Sequence, residues 1–500
     1  MYLIGFDIGS SSVKAALVLA ETGAVMATAN YPDQEMPILA PQTGWAEQHP
    51  EDWWEAVCIA CKRLLERTAV PPTQISAMGI AYQMHGLVLL DEAGTVLRPA
   101  IIWCDGRAVA IGREALQALG EDYCMAHLLN APGNFTASKL RWVQQHEPAV
   151  FARVHRAMLP GDYIAFRMTG RMTTTICGLS EGMFWDFKAN QVDTRLLEYY
   201  QISAAMIPEI VPVFGEQGHL STSAAAQMGL TPGTLLGYRA GDQPNNALSL
   251  QALQAGEVAA AGGTSGVVYA VANQAIFDPQ QRVNSFAHVN HEAQNPHIGV
   301  LLCINGAGSA YRWMRDVMGA NGGPKRSYAD LENLAKGIAV GSDGLCILPF
   351  GNGAERMLGN EADGIQMFGI QCNIHESKHF FRAMLEGIAF AFVHGMEAMR
   401  ALGIPIHTLR VGKGNLFESA IFAHTIATLM GVKIAVYDTQ GAVGAAKAAG
   451  VAAGFYETPQ SAVAQGQTPE KVYEPLAESA AYDAAYARWS SWLEKGYRQC

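Results

Sequence analysis

Apolar positions in this chain fall into short runs that end on polar, glycine-bearing turns, and two such units repeat one plan. Tyr2 to Phe6 and Val13 to Leu19 have the length and composition of strands, joined through Asp7-Ile8-Gly9-Ser10-Ser11-Ser12. In the second half, Glu257-Val-Ala-Ala-Ala and Val267-Val-Tyr-Ala-Val are again strand-like, joined through Gly262, Gly263, Thr264, Ser265 and Gly266. Further strands are predicted at Ile75 to Tyr82, Leu87 to Leu90, from Ala100, from Leu235, and at Leu345 to Phe350, His407 to Val411 and Lys433 to Tyr437. Helical spacing marks Trp53 to about Arg67, most of residues 110–160, and a small-residue segment from Asn245. It returns at Ser377 to about Leu402, from Phe417, from Gly441, and at Ser479 to about Lys495. Gly178 to Gly182 reads as a Gly/Ser turn, and residues 453–475 as surface. The elements describe an α/β chain, and the repeated hairpin implies two related domains facing each other across a central cleft. The expected division is 1–246 and 247–450, followed by a tail and closing helix over 451–500.

Composition narrows the class. The chain has 500 residues, more than one hydrophobic core usually serves, which agrees with two domains. Half of it is hydrophobic and 16% charged, the balance of a globular chain with large interiors. The formal net charge is −11 without a basic stripe, which argues against nucleic acid as a partner. Asp7 interrupts the first apolar run, no basic segment precedes it, and no run reaches the ~18 apolar residues of a membrane span. Nine scattered cysteines suit a reducing, cytoplasmic setting better than a disulfide framework. Cys58 and Cys61 fall on the apolar face of a predicted helix and read as core thiols.

Candidate chemistry sits at the strand ends. The Gly9–Ser11 and Gly263–Ser265 turns bring successive backbone N–H groups together, an anion-binding arrangement. Asp7 beside the first turn suggests Mg²⁺, which takes one or two carboxylates and completes its shell with phosphate oxygens and water. Met84 and His85 follow the Ile75 strand, where α/β folds place ligand contacts. Trp103, Asp105 and Arg107 either line a sugar site or form a structural Asp–Arg pair around an aromatic. Asp242 precedes the second hairpin and is either a helix N-cap or a base facing a phosphate. Gly412-Lys413-Gly414-Asn415 forms a glycine turn between strand and helix, and no Walker A sequence is present.

Taken in order from residue 2 to about residue 450, these motifs resemble the FGGY carbohydrate kinases, and among them the xylulokinases most. The resemblance rests on Phe6-Asp7-Ile8-Gly9-Ser10-Ser11, Gln83-Met84-His85-Gly86, Trp103-Cys104-Asp105-Gly106-Arg107, Gly241-Asp242 and Gly262-Gly263-Thr264-Ser265-Gly266. It implies two ribonuclease-H-like domains of the actin/hexokinase-type ATPase superfamily, closing over ATP, Mg²⁺ and a sugar. Carried over residue by residue, Asp242 is the expected general base and Asp7 the Mg²⁺ residue. Gly9, Ser10, Ser11, Gly263, Thr264 and Ser265 would grip phosphates, and Gly412, Gly414 and Asn415 would lie near the adenosine. Met84, His85, Trp103, Asp105 and Asp242 would form the sugar site, with D-xylulose converted to D-xylulose 5-phosphate. The resemblance also suggests a homodimer. Three positions depart from the family pattern: Lys413 within a turn that is commonly all glycine, Gln243 in place of the frequent Asn, and Met357-Leu358 after Glu355-Arg356. Two other readings stand beside this one: a kinase of another ketose or polyol, such as ribulose or glycerol, and a non-catalytic ATP-gated sensor of the same fold.

Overall fold

The computed structural model describes residues 1–318, 326–359 and 364–496. Its frame is two mixed sheets. The first contains β1 (Tyr2–Ile8), β2 (Val13–Leu19), β3 (Val25–Tyr31), β4 (Ile75–Tyr82), β5 (Phe214–His219) and β6 (Leu235–Gly241), in the order β5-β6-β4-β1-β2-β3. The second contains β7 (Glu257–Gly262), β8 (Gly266–Ala272), β9 (Asn284–Ala287), β10 (Ile298–Ile304), β11 (Thr408–Gly412), β12 (Lys433–Tyr437) and β13 (Lys471–Tyr473), in the order β9-β10-β8-β7-β11-β12-β13. β2 pairs antiparallel with both β1 and β3, while β4 and then β6 add in parallel to β1. β7, β8 and β10 repeat the antiparallel triplet, and β11 and β12 add in parallel to β7. Even the last strand repeats, since β5 and β13 each close a sheet antiparallel to its neighbour. The two predicted hairpins are thus corresponding parts of two copies of one α/β topology.

Side-chain alternation decides what covers each face. Ile4, Phe6 and Ile8 of β1 pack with Trp53, Val57 and Leu64 of α1 (Pro50–Thr68) and with Tyr163 and Met168 of α2 (Pro160–Thr169). Each such apolar side chain, fully buried, contributes about 1.5–3 kcal/mol. Pro50 opens α1 and Glu51 and Asp52 occupy its first turn, where acidic side chains complement the helix dipole. Cys58 and Cys61 are both buried on it as free thiols.

The opposite face of β1 carries Leu3, Gly5 and Asp7. It is covered by a helix from the far end of the chain, which lies beyond α3 (Ile176–Glu181), α4 (Asp242–Ser249), α5 (Gly308–Met318), α6 (Tyr328–Lys336), α7 (Ser377–Ala401) and α8 (Ala420–Met430). This helix, α9 (Gly441–Ala452), follows β12 yet buries Ala442, Ala445, Ala446 and Ala449 with Leu3, Val18 and Ala77 of the first sheet. Glycines in the strands admit it. A β-carbon on Gly5 would lie 1.9 Å from the Ala442 carbonyl oxygen, and one on Gly79 would lie 2.0 Å from that of Ala445. α4 makes the reverse crossing: Ala247 packs with Ala259, Tyr269 and Val271 of the second sheet. The two crossing helices touch, with the Asn245 amide donating to the Gly441 carbonyl at 2.9 Å.

Three local expectations change. Residues 453–475 are not merely surface, because Tyr473 on β13 is buried and its hydroxyl donates to the Phe417 carbonyl at 3.0 Å. The helix expected from Phe417 begins at Ala420, where the Ser419 hydroxyl caps it by accepting from the Phe422 amide. The helix expected from Asn245 begins at Asp242. Among the described residues, no helix is long and apolar enough to cross a membrane.

Candidate active site

Most of the predicted motifs sit at the C-terminal ends of parallel-paired strands, the Trp103 motif excepted. Asp7 lies at the end of β1, Gln83-Met84-His85 follows β4, and Gly241-Asp242 ends β6, with Ile8 and Gly241 both in register with Tyr82. On the second sheet, Gly262 ends β7 and Gly412 ends β11.

Both hairpin turns tie their carbonyls backward and leave their amides forward. In the first, the Gln48 amide donates to the Ser10 carbonyl at 2.6 Å and the Met36 N–H to that of Ser11 at 2.8 Å. The Gly9 N–H donates to the Ser12 carbonyl at 3.1 Å. In the second, Gly308 and Ser309 at the start of α5 donate to the carbonyls of Gly263 and Thr264 at 3.1 and 2.9 Å. The amides of Ser10, Ser11, Thr264 and Ser265 donate no hydrogen bond among the described residues. Both turns can therefore receive an anion such as phosphate.

A cavity of about 610 Å³ opens beside the second turn, lined by Gly263, Thr264, Tyr328, Asn333, Gly414 and Asn415. That is the size of small-molecule and cofactor sites. Gly414 has φ +83°, a left-handed conformation that a side chain would strain. The Asn415 side chain closes this turn, accepting from the Phe417 amide and donating to the Gly412 carbonyl at 2.7 Å, so Gly412 stands behind the cavity wall. Lys413 points away. Its ammonium pairs with Glu470 at 2.9 Å, and its backbone N–H donates to the Tyr437 carbonyl. The lysine thus replaces a glycine without entering the cavity. Lys413→Ala is expected to leave the KM for nucleotide within about twofold, as befits an exposed ion pair; a tenfold rise in a steady-state assay would place the ammonium on the nucleotide.

Asp242 is the first residue of α4, preceded by Gly241 as N-cap, and its carboxyl accepts hydrogen bonds from Gln243, the next residue. Burial pushes its carboxyl up to about 8, reinforced by the negative charges of Asp7 and Glu181. Asp7 is also raised by burial, which outweighs the attraction of Lys14. A β-carbon at Gly441, in the first turn of α9, would lie 2.5 Å from Asp7 Oδ2. Burial pushes the Cys303 thiol of β10 up to about 11, and Asp242 is among the charges acting on it. The charges of Asp242 and Asp7 thus act on one another and that of Asp242 also on Cys303 of the second sheet. Two neighbouring carboxylates short of positive partners suit a hard cation, and no group of three or more metal-ligating side chains exists among the described residues. This donor set fits Mg²⁺ held mainly by phosphate oxygens and water.

The remaining predicted residues surround His85. Its side chain is 19% exposed, and its backbone is left-handed at φ 60°, a rare conformation for a residue with a side chain. Met84 is buried beneath, where a β-carbon on Gly241 would meet its Cγ at 2.6 Å. Trp103 is half exposed and its indole donates to the Ser10 hydroxyl at 3.3 Å. Asp105 resolves to the structural alternative: it is fully buried, accepts from the Ala46 amide at 2.6 Å and pairs with Arg107 at 2.7 Å. Its carboxylate is taken up by the Ala46 amide and by the backbone and guanidinium of Arg107.

Two residues missed in the sequence complete the surroundings. Lys139 is fully buried, and its ammonium donates to the carbonyls of His85 and Ile102 at 2.8 and 2.9 Å. Glu181, 1% exposed, accepts from the His85 amide at 2.5 Å. The segment read as a turn at Gly178–Gly182 is in fact α3, and the Thr175 hydroxyl accepting from the Gly178 amide is the cap that begins it.

Comparison with known proteins agrees with this geometry. Residues 2–249 match the N-terminal domain, and residues 258–453 the C-terminal domain, of the FGGY family of carbohydrate kinases. The chain belongs to the FGGY family. A xylulose kinase of Escherichia coli (strain K12) is 30% identical over 95% of this chain and 97% of its own length. One of Klebsiella pneumoniae is 31% identical over 89% of this chain and 87% of its own. The crystal structure of xylulose kinase from Rhodospirillum rubrum superposes with a TM-score of 0.87 at 26% identity, covering 100% of both chains. The protein is an FGGY carbohydrate kinase with the two-domain actin/hexokinase-like fold, and membership implies ATP and usually Mg²⁺.

Proposed function

We propose that this FGGY kinase transfers the γ-phosphoryl group of ATP to the 5-hydroxyl of D-xylulose. The observation that carries the chemistry is Asp242: a carboxyl just after β6, at the start of α4, whose ionisation is opposed by the neighbouring charges of Asp7 and Glu181. A sugar hydroxyl is a weak nucleophile, and phosphoryl transfer requires chiefly position, charge neutralisation and one proton acceptor. The new bond joins the sugar oxygen to the γ-phosphorus, the bond to the bridging β–γ oxygen breaks, ADP leaves with that oxygen, and the hydroxyl proton passes to Asp242. The free amides of Ser10, Ser11, Thr264 and Ser265 hold phosphate oxygens, and the cavity beside Gly414 receives the nucleoside. Asp7 would hold Mg²⁺, which supplies charge neutralisation at the transferred group.

D-xylulose as the acceptor is supported by the xylulose kinase relatives and by the His85 imidazole presented to the cleft above a buried Met84. The deciding measurement is ADP release from Mg-ATP across D-xylulose, L-xylulose, D-ribulose, L-ribulose, glycerol and no sugar. Strong turnover is expected with D-xylulose and not with the others. Turnover confined to a different member replaces the substrate and keeps the kinase.

A further inference from the structure

Glu181 does more than fill the space behind His85. Its Oε2 accepts from the His85 amide and lies 2.9 Å from Nδ1 of the same residue, while its own carbonyl oxygen lies 3.0 Å from that nitrogen. Nδ1 therefore faces two oxygens that only accept, so the ring must present a proton there. Nε2 has no hydrogen-bond partner among the described residues. The ring itself is held edge-on by Phe135 at 4.8 Å and tilted against Phe286 of β9 at 5.3 Å. From below, Lys139 takes the His85 carbonyl. Every bond that fixes the left-handed His85 comes from outside its own turn, and Glu181 supplies those to both the amide and the ring.

We propose that Glu181 is a positioning residue for His85, holding the imidazole with its proton on Nδ1 so that Nε2 meets the sugar as a hydrogen-bond acceptor. This inference rests on the sugar-kinase reading of the cleft. It also assigns a use to a carboxylate that would otherwise be poorly placed beside Asp242: Oε1 would lie 3.7 Å from a β-carbon at Gly241, the residue before Asp242, while Oε2 holds His85. A hydroxyl donating to Nε2 and an acid accepting at Asp242 then address different groups of one polyol. A ligand offering only acceptors to Nε2 is discriminated against.

The test joins a spectroscopic and a kinetic measurement. In ¹⁵N-histidine-labelled full-length protein, with the His85 signals assigned by their loss in His85→Asn, a proton on Nδ1 and none on Nε2 is expected. A ring protonated on Nε2, alone or on both nitrogens, overturns the assignment. Glu181→Met is expected to raise the sugar KM about 30-fold with the nucleotide KM within about twofold, while Glu181→Gln, which keeps one acceptor, raises it only about threefold. In the His85→Ala background, Glu181→Met is expected to add less than about twofold, because residues acting through one another are not additive. Equal rises in both KM values, or full additivity, would assign Glu181 a structural role only. If the wild-type enzyme phosphorylates no sugar of the panel, the substrate reading fails on its own account, and the tautomer still decides whether Glu181 orients His85.

Discussion

Asp242→Asn is expected to lower the rate of phosphoryl transfer by about 10³-fold, within the range that general-base catalysis contributes, while nucleotide still binds. Asparagine keeps the shape and can still hydrogen-bond near Gln243, but it cannot take the hydroxyl proton. The substitution should also stabilise the fold. Asp242 is partly buried and its ionisation is opposed by desolvation and by the charges of Asp7 and Glu181, so an uncharged side chain there removes that cost. A higher melting temperature alongside a lost rate would separate chemistry from unfolding. The pH dependence follows with the same sign. A base must be ionised, and a carboxyl raised to about 8 is ionised only as pH climbs past that value, so kcat/KM for sugar is expected to rise with pH and level off above about 8. A variant retaining a rate within tenfold of wild type, or a wild-type profile flat from about pH 6 to 9, would remove Asp242 from the proton transfer.

The second large effect concerns stability. Gly5→Ala is expected to cost about 3 kcal/mol or more, at the upper end of overpacking substitutions, because its β-carbon meets backbone rather than a yielding side chain. The Ala442 carbonyl oxygen would lie 1.9 Å away and the Ala446 nitrogen 2.4 Å, so α9 must move as a whole. Gly441 then leaves Asp7, and activity should fall with the fold. Gly337→Ala is the control, since its nearest neighbour is the Leu334 carbonyl oxygen at 3.9 Å. Denaturant midpoints for the two variants should differ clearly; equal midpoints would mean that α9 is free to adjust.

Local pattern was enough for the elements that act alone. The two hairpins, α1 and the long α7 announce themselves through apolar periodicity and turn chemistry, and the phosphate-type turns come with them. What depends on distant partners was not legible. Asp105 beside Arg107 reads equally as a sugar contact or a structural pair, and only the Ala46 amide, 59 residues away, decides it. Glu181 hid inside a run of Gly and Ser because its partner His85 lies 96 residues earlier and its helix is six residues long. The small residues of α9 foretold close packing, but not that the surface they meet belongs to the other half of the chain.

That exchange of α4 and α9 sets the order in which the protein can become whole. During synthesis β1, β2, β4 and β6 emerge long before Gly441–Ala452, and the face holding Gly5, Gly79 and Gly237 keeps Leu3, Val18 and Ala77 uncovered by the helix that buries them. The first half therefore waits, incompletely covered, until nearly the last helix arrives. A chain cut between the two matched segments would keep Asp7, His85 and Asp242 and still lack the roof over the strand that carries Asp7. The duplicated halves share a plan, but each is finished by a piece of the other.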